Sequence, residues 1–98
     1  MTQFNIYYGS IGNTLKVKYH FTKKYKSEED ALKDAYNRAC SMYYKNEGKY
    51  GLPSYEQIAD EANITDLSIK TLYQDHINDM MRWYAIPTEL DTVTNLIY

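Results

Sequence analysis

Few side chains in this sequence could do chemistry, and they do not assemble into a catalytic set. His76, with Asp75 and Asp79, is the densest local group of potential ligands. A His–Asp pair three residues apart on a helix can hold a divalent metal. His76 also falls inside an apolar stripe of helical spacing, where a hydrogen-bonded, partly buried imidazole is the commoner outcome. Cys40 lies at the edge of a second such stripe, with nothing beside it in sequence that would activate the thiol, so it reads as a packing residue. Glu28, Glu29 and Asp30 are adjacent, and adjacent carboxylates fan around a helix instead of converging on one ion. The sequence has no phosphate-binding glycine loop, no nucleophile elbow and no Cys-x-x-Cys pair. The expectation is a protein that is not an enzyme and needs no cofactor or metal.

Charge is the more informative chemistry. Residues 1–50 hold nine Lys/Arg and five Asp/Glu, a balance of +4, while residues 51–98 hold two and eight, a balance of −6. The first 27 residues contain no carboxylate side chain and five lysines: Lys16, Lys18, Lys23, Lys24 and Lys26. Aromatic residues are interleaved with them. A basic, aromatic β-ribbon can contact nucleic acid. Lysines also keep an exposed strand soluble and unpaired. A third reading makes this face a docking surface for an acidic protein, or for the acidic half of a second copy in a homo-oligomer. The third reading names Lys16, Lys18, Lys23, Lys24 and Lys26 as partner-binding residues. His20 is expected on the same strand face as Lys16 and Lys18.

The acidic half contains the one stretch with a functional pattern. Ser54 and Gln57 form an S-x-x-Q capping box, so a helix is expected over 54–62. Asn63 suits a left-handed helix end, and Thr65 or Asp66 caps a helix expected over 66–83. Ile69, Leu72, Tyr73, His76, Ile77, Met80 and Tyr84 share one face of that helix. From Tyr55 to Tyr73 the spacing resembles the helix-turn-helix of bacterial and phage DNA-binding domains. Ile58 and Ala59 stand at its packing positions, Asn63 where that family usually has Gly, Ile64 as the turn hydrophobe, and Ile69 and Leu72 as buried positions. That resemblance implies DNA contacts from Thr65, Ser68, Lys70 and Thr71. A plain helical hairpin satisfies the same spacing. DNA affinity comes largely from cations set against phosphates, and Lys70 is the would-be recognition helix's only cation before Arg82. The charge argues against this helix entering a groove.

These residues need elements to position them. Phe4, Ile6 and Tyr8 alternate with Asn5 and Tyr7. Leu15, Val17, Tyr19 and Phe21 alternate with Lys16, Lys18, His20 and Thr22. Period two of this kind predicts two strands, 3–8 and 14–22, within an antiparallel hairpin over 3–22 turned at Gly9–Asn13. Ser27 begins a helix expected over 28–46, with Leu32, Ala35, Tyr36, Ala39 and Tyr43 as its dry stripe. Pro87 pushes Ile86 towards extended geometry, so Tyr84–Ile86 is a candidate third strand, which would bring Trp83 and Tyr84 near Phe4, Ile6 or Val17. The tail 88–98 reads as a short helix capped by Thr88 or as a strand through Thr92-Val93-Thr94. The expected fold is α+β: an antiparallel hairpin, with or without a third short strand, on about three helices.

With 98 residues the chain suits one domain with a thin core. Its 12 tyrosines fit the rim of such a core, and equally an interaction surface. The single cysteine suits a reducing compartment, and no signal peptide or membrane span is legible. Cytoplasmic residence without membrane contact is the expectation. The residues Glu47-Gly48, Gly51-Leu52-Pro53-Ser54-Tyr55-Glu56 and Trp83-Tyr84-Ala85-Ile86-Pro87-Thr88-Glu89 together resemble a group of small uncharacterised proteins from bacteriophages and mobile elements of gut bacteria. A helix-turn-helix-like middle is not expected of that group. The resemblance implies a small accessory role, in the host cytoplasm if phage-encoded, and carries no activity with it. The expected function is protein–protein interaction directed at a host factor. The alternative is a helix-turn-helix DNA-binding regulator.

Overall fold

The computed structural model describes residues 1–12, 15–62 and 68–92. Its elements are β1 (Thr2–Ser10), β2 (Lys18–Tyr25), α1 (Glu28–Asn46), α2 (Tyr55–Ala62), α3 (Ser68–Met80), β3 (Met81–Pro87) and a 3-10 turn, Thr88–Leu90. The class is α+β, with a three-stranded antiparallel sheet in the order β2-β1-β3 among the described residues. The predicted starts at Ser27 and Ser54 have their side-chain caps. The Ser27 hydroxyl accepts the Asp30 N–H at 3.2 Å. Ser54 accepts the Gln57 N–H at 3.2 Å, and the Gln57 carbonyl accepts the Ser54 N–H at 2.8 Å.

The hairpin differs from its expected outline. β1 continues through Gly9 and Ser10, which pair with Arg82 and Met81 of β3. β2 begins at Lys18 and continues through Lys23, Lys24 and Tyr25, opposite Phe4, Gln3 and Thr2. Gly9 is needed where it stands. A Cβ there would lie 2.5 Å from the Lys16 carbonyl oxygen, so residues 15–17 can cross the strand end only over a glycine. The register also breaks: Ile6 opposes Phe21, but Tyr7 opposes Tyr19, leaving His20 as the extra residue of a bulge. The expected dry stripe is therefore split. Phe21 joins Phe4 and Ile6 on the face towards α1, and Tyr19 joins Tyr7 on the opposite face.

The third strand is longer than expected and takes over the end of the expected third helix. α3 stops at Met80, so Arg82, Trp83 and Tyr84 are strand residues. Met81, Trp83, Ala85 and Pro87 share the α1-facing side with Ser10, Tyr8, Ile6 and Phe4. Tyr84 faces the other way and is exposed, so it leaves the stripe it was assigned to. Thr65 and Asp66, named as caps, lie outside the described residues, as does residue 93 onward of the tail. Thr88 does open a short turn, but a 3-10 one.

α1 lies across the sheet on a row of small side chains. Ala31, Ala35 and Ala39 are fully buried, which lets the backbone approach the strands closely. Ala31 and Ala35 pack with Phe4, Ile6, Tyr25 and Ala85. Ala39, Cys40 and Tyr43 pack with Leu52, Ile77 and Met81 where α1 meets α3. Tyr8 and Trp83 touch both clusters and join them, so Trp83 sits against the group containing Phe4 and Ile6, as predicted. Each fully buried aliphatic side chain, such as Ile6 or Ile77, is worth roughly 1.5–3 kcal/mol. The opposite sheet face carries a polar network. Thr22 donates to Asn5 at 2.5 Å, the Asn5 amide donates to Asp91 at 2.7 Å, and Tyr7 donates to the same Asp91 oxygen. The chain after β3 is thereby tied across the middle strand.

Candidate partner-binding surfaces

The lysines lie on and around an edge strand. β2 has β1 as its one neighbour among the described residues, and Lys16, Lys18, Lys23, Lys24 and Lys26 are all exposed. None of the five forms an ion pair within the described residues, where Arg38–Asp34 at 3.2 Å meets that criterion. The bulge distributes them. Lys18 and Lys23 oppose Tyr8 and Phe4 and so point to the α1 side, whereas Lys24 opposes Gln3 and points to the other. Lys23 Nζ rests 5.6 Å from the centre of the Tyr25 ring, a weak cation–π contact at an exposed site.

On the α1 side the lysines meet groups that sequence reasoning missed. His20 stacks on Tyr8 with ring centres 3.7 Å apart and planes 4° from parallel. Its Nε2 lies 3.1 Å from the Tyr8 carbonyl oxygen. A carbonyl only accepts, so Nε2 carries a hydrogen. The imidazole is held below its ordinary pKa by burial, against the raising effect of the Tyr8 carbonyl, with further lowering by Lys18 and Arg38. Arg38 lies with its guanidinium 4.3 Å from the Phe21 ring centre and its Nε on Asp34. Between β1 and α1 a groove of about 340 Å³ is lined by Tyr8, Arg38, Ser41, Met42, Lys45 and Asn46. The spacing of Arg38, Ser41 and Lys45 could have revealed one polar helix face. It could not have revealed that this face meets Tyr8 and His20.

A second surface is built from tyrosines. Tyr73 of α3 is its hub, with ring centres 6.0 Å from Tyr43, 6.2 Å from Tyr44 and 5.2 Å from Tyr55. The Tyr73 hydroxyl donates to Glu47, and the Tyr43 hydroxyl donates to the Pro53 carbonyl at 2.5 Å. Burial first, and then the Glu47 charge, pushes the Tyr43 phenol up to about 12. Tyr73 is raised further by burial, the Glu47 hydrogen bond and the Glu47 charge. Tyr44 and Tyr55 remain exposed. Burial and the Glu47 charge therefore keep the Tyr43, Tyr44 and Tyr73 phenols neutral at ordinary pH, and the cluster offers packing and hydrogen-bond contacts. The neighbouring turn holds Tyr50 at φ 54 and Gly51 at φ 78, with Tyr50 exposed.

The remaining candidates do not converge on a site. Among the described residues no three His, Cys, Asp or Glu side chains are placed to hold a metal. His76 is half-buried, and its Nε2 is buried with no hydrogen-bond partner among the described residues. α2 packs against α3, and Ser68, Lys70 and Thr71 are exposed on α3, while Thr65 lies outside the described residues. Those two helices carry Glu56, Asp60, Glu61, Asp75 and Asp79, against Lys70 as their only Lys or Arg. No described helix is long and apolar enough to cross a membrane. Compared with protein-family models, curated proteins and solved structures, the chain matches none of them.

Proposed function

We propose that this chain is a small non-enzymatic accessory protein that works by protein–protein contact in the cytoplasm, presenting its lysine-bearing strand to an acidic partner. The phage or mobile-element setting is what the resemblance of its second half implies, with a host factor as the target. One observation carries the reading: five lysines stand exposed on and beside an edge strand, and the carboxylates of the same chain do not pair with them among the described residues. Unneutralised charge of one sign steers association and selects partners more than it stabilises a fold. The acidic balance of α2 and α3 weighs against the DNA-binding alternative.

The test is fluorescence anisotropy with a labelled polyglutamate chain and with mixed-sequence duplex DNA, each across a salt series. Polyglutamate binding that weakens with salt, and weakens when Lys16, Lys18, Lys23 and Lys24 become Gln, is the expected result. Submicromolar DNA binding that falls steeply with salt would replace this reading with the helix-turn-helix regulator.

A further inference from the structure

The geometry points to the groove between β1 and α1, lined by Tyr8, Arg38, Ser41 and Lys45 and bordered by His20 and Lys18, as the site that seats a carboxylate side chain of an acidic peptide. This rests on the acidic-partner reading and says where on the protein that partner is held.

Two elements deliver basic side chains to one place, on either side of a third. β2 supplies Lys18 and His20, and α1 supplies Arg38 and Lys45, while Tyr8 of β1 forms the wall between them. Like charges set close together repel, and the cost is visible at His20, where Lys18 and Arg38 both disfavour the protonated ring. Among the described residues the one carboxylate bound to this group is Asp34, which engages Arg38 through Nε and also takes the Tyr25 hydroxyl at 2.5 Å. The terminal nitrogens of Arg38 have no hydrogen-bond partner among the described residues, and those are the atoms that grip a carboxylate in a two-pronged fashion. The Phe21 ring under the guanidinium fixes its plane. Ser41 adds a hydroxyl donor beside it. Met42 and the Tyr8 ring supply apolar wall for the methylene groups of a Glu side chain.

The edge of β2 does not suit strand addition. A bulge at His20 breaks its ladder, and exposed lysines flank it, both of which discourage pairing with another strand. The partner is therefore gripped by side chains in the groove and not by backbone pairing. Lys23, Lys24 and Lys26 attract it from a distance.

The site can be read by NMR titration of the intact chain with a short polyglutamate peptide, following the His20 ring proton and the α1 amides. The expected result is a saturable shift at His20, Arg38, Ser41 and Lys45. Binding should weaken at least about tenfold for Arg38→Gln and measurably for Lys45→Gln, as befits a charge-assisted pair. Lys24→Gln, on the opposite sheet face, should leave the shifts at these four residues in place. The His20 ring should also titrate at higher pH with the peptide bound, because a carboxylate offsets Lys18 and Arg38. Peptide binding that survives both the Arg38 and Lys45 changes overturns the groove but leaves the acidic-partner reading intact. No peptide binding at all overturns both. Shifts at these residues with inorganic phosphate and none with the peptide would overturn the peptide as occupant.

Discussion

His76 is a residue whose surroundings do not match its chemistry. Its ring lines a hollow with Ile58, Glu61, Ala62 and Leu72, yet its Nε2 is buried without a hydrogen-bond partner among the described residues. A polar atom left in that state costs about 1–3 kcal/mol. His76→Leu removes the unmet nitrogen and keeps much of the volume, so urea denaturation should show stability raised by about 1 kcal/mol. A fall in the midpoint would mean that the ring's own packing outweighs the unpaired nitrogen. The tyrosines carry a second consequence at this scale. Burial, aided by Cys40 at Tyr36 and by Glu47 at Tyr43, pushes both phenols up to about 12. An unfolded tyrosine ionises near 10. A group whose folded pKa is raised stabilises the fold fully below the unfolded value and loses that contribution as pH climbs through the folded one. Stability should therefore hold to about pH 10 and fall between about 10 and 12. Site-resolved NMR of the Tyr36 and Tyr43 rings should show their ionisation together with unfolding in that window, and ionisation of these two near pH 10 in a still-folded protein would contradict it.

Elements differ in how much of their structure is local, and that decides what could be read. The caps at Ser27 and Ser54 lie within one turn of sequence, so they were legible, as were Ala35 and Ala39 of the α1 alanine row, though not Ala31. The boundary between α3 and β3 was not. Met80, Met81, Arg82, Trp83 and Tyr84 continue a helical stripe without a breaker before Pro87. What ends the helix is pairing with β1, some 70 residues earlier in the chain. The bulge at His20 was invisible for the same reason, since the alternation through β2 is unbroken and the slip exists only against β1. The candidate site divides along this line too. Its lysines are a local run, whereas Arg38 and Lys45 reach it from a helix. The α3–β3 switch makes Trp83 a joint between the two core clusters, edge-on to Tyr36 with ring centres 4.8 Å apart. Trp83→Ala should cost about 3 kcal/mol, the low end for a core aromatic because the ring is half-buried. An unchanged thermal melt would show that the two clusters hold together without it.

The whole molecule keeps its charges apart. It measures 48 × 27 × 17 Å, and its acidic second half folds largely into α2 and α3 at the C-terminal end of α1. The lysine strand lies along the opposite edge of the sheet from β3. Such a split acts on encounter: it raises the association rate and makes it salt-dependent, while contributing little to the fold. Changing Lys16, Lys18, Lys23 and Lys24 to Gln removes no ion pair among the described residues, and the Lys23 contact with Tyr25 is worth less than about 1 kcal/mol. The melting temperature should therefore move by no more than a few degrees. Association with an acidic partner should slow, and its salt dependence should flatten, because the field that steers encounter is gone. Stopped-flow association measured across a salt series separates these effects from any change in dissociation. If the fourfold change instead unfolds the protein, the lysines are bound to the acidic half of their own chain, and the strand is structural mortar and not a docking face.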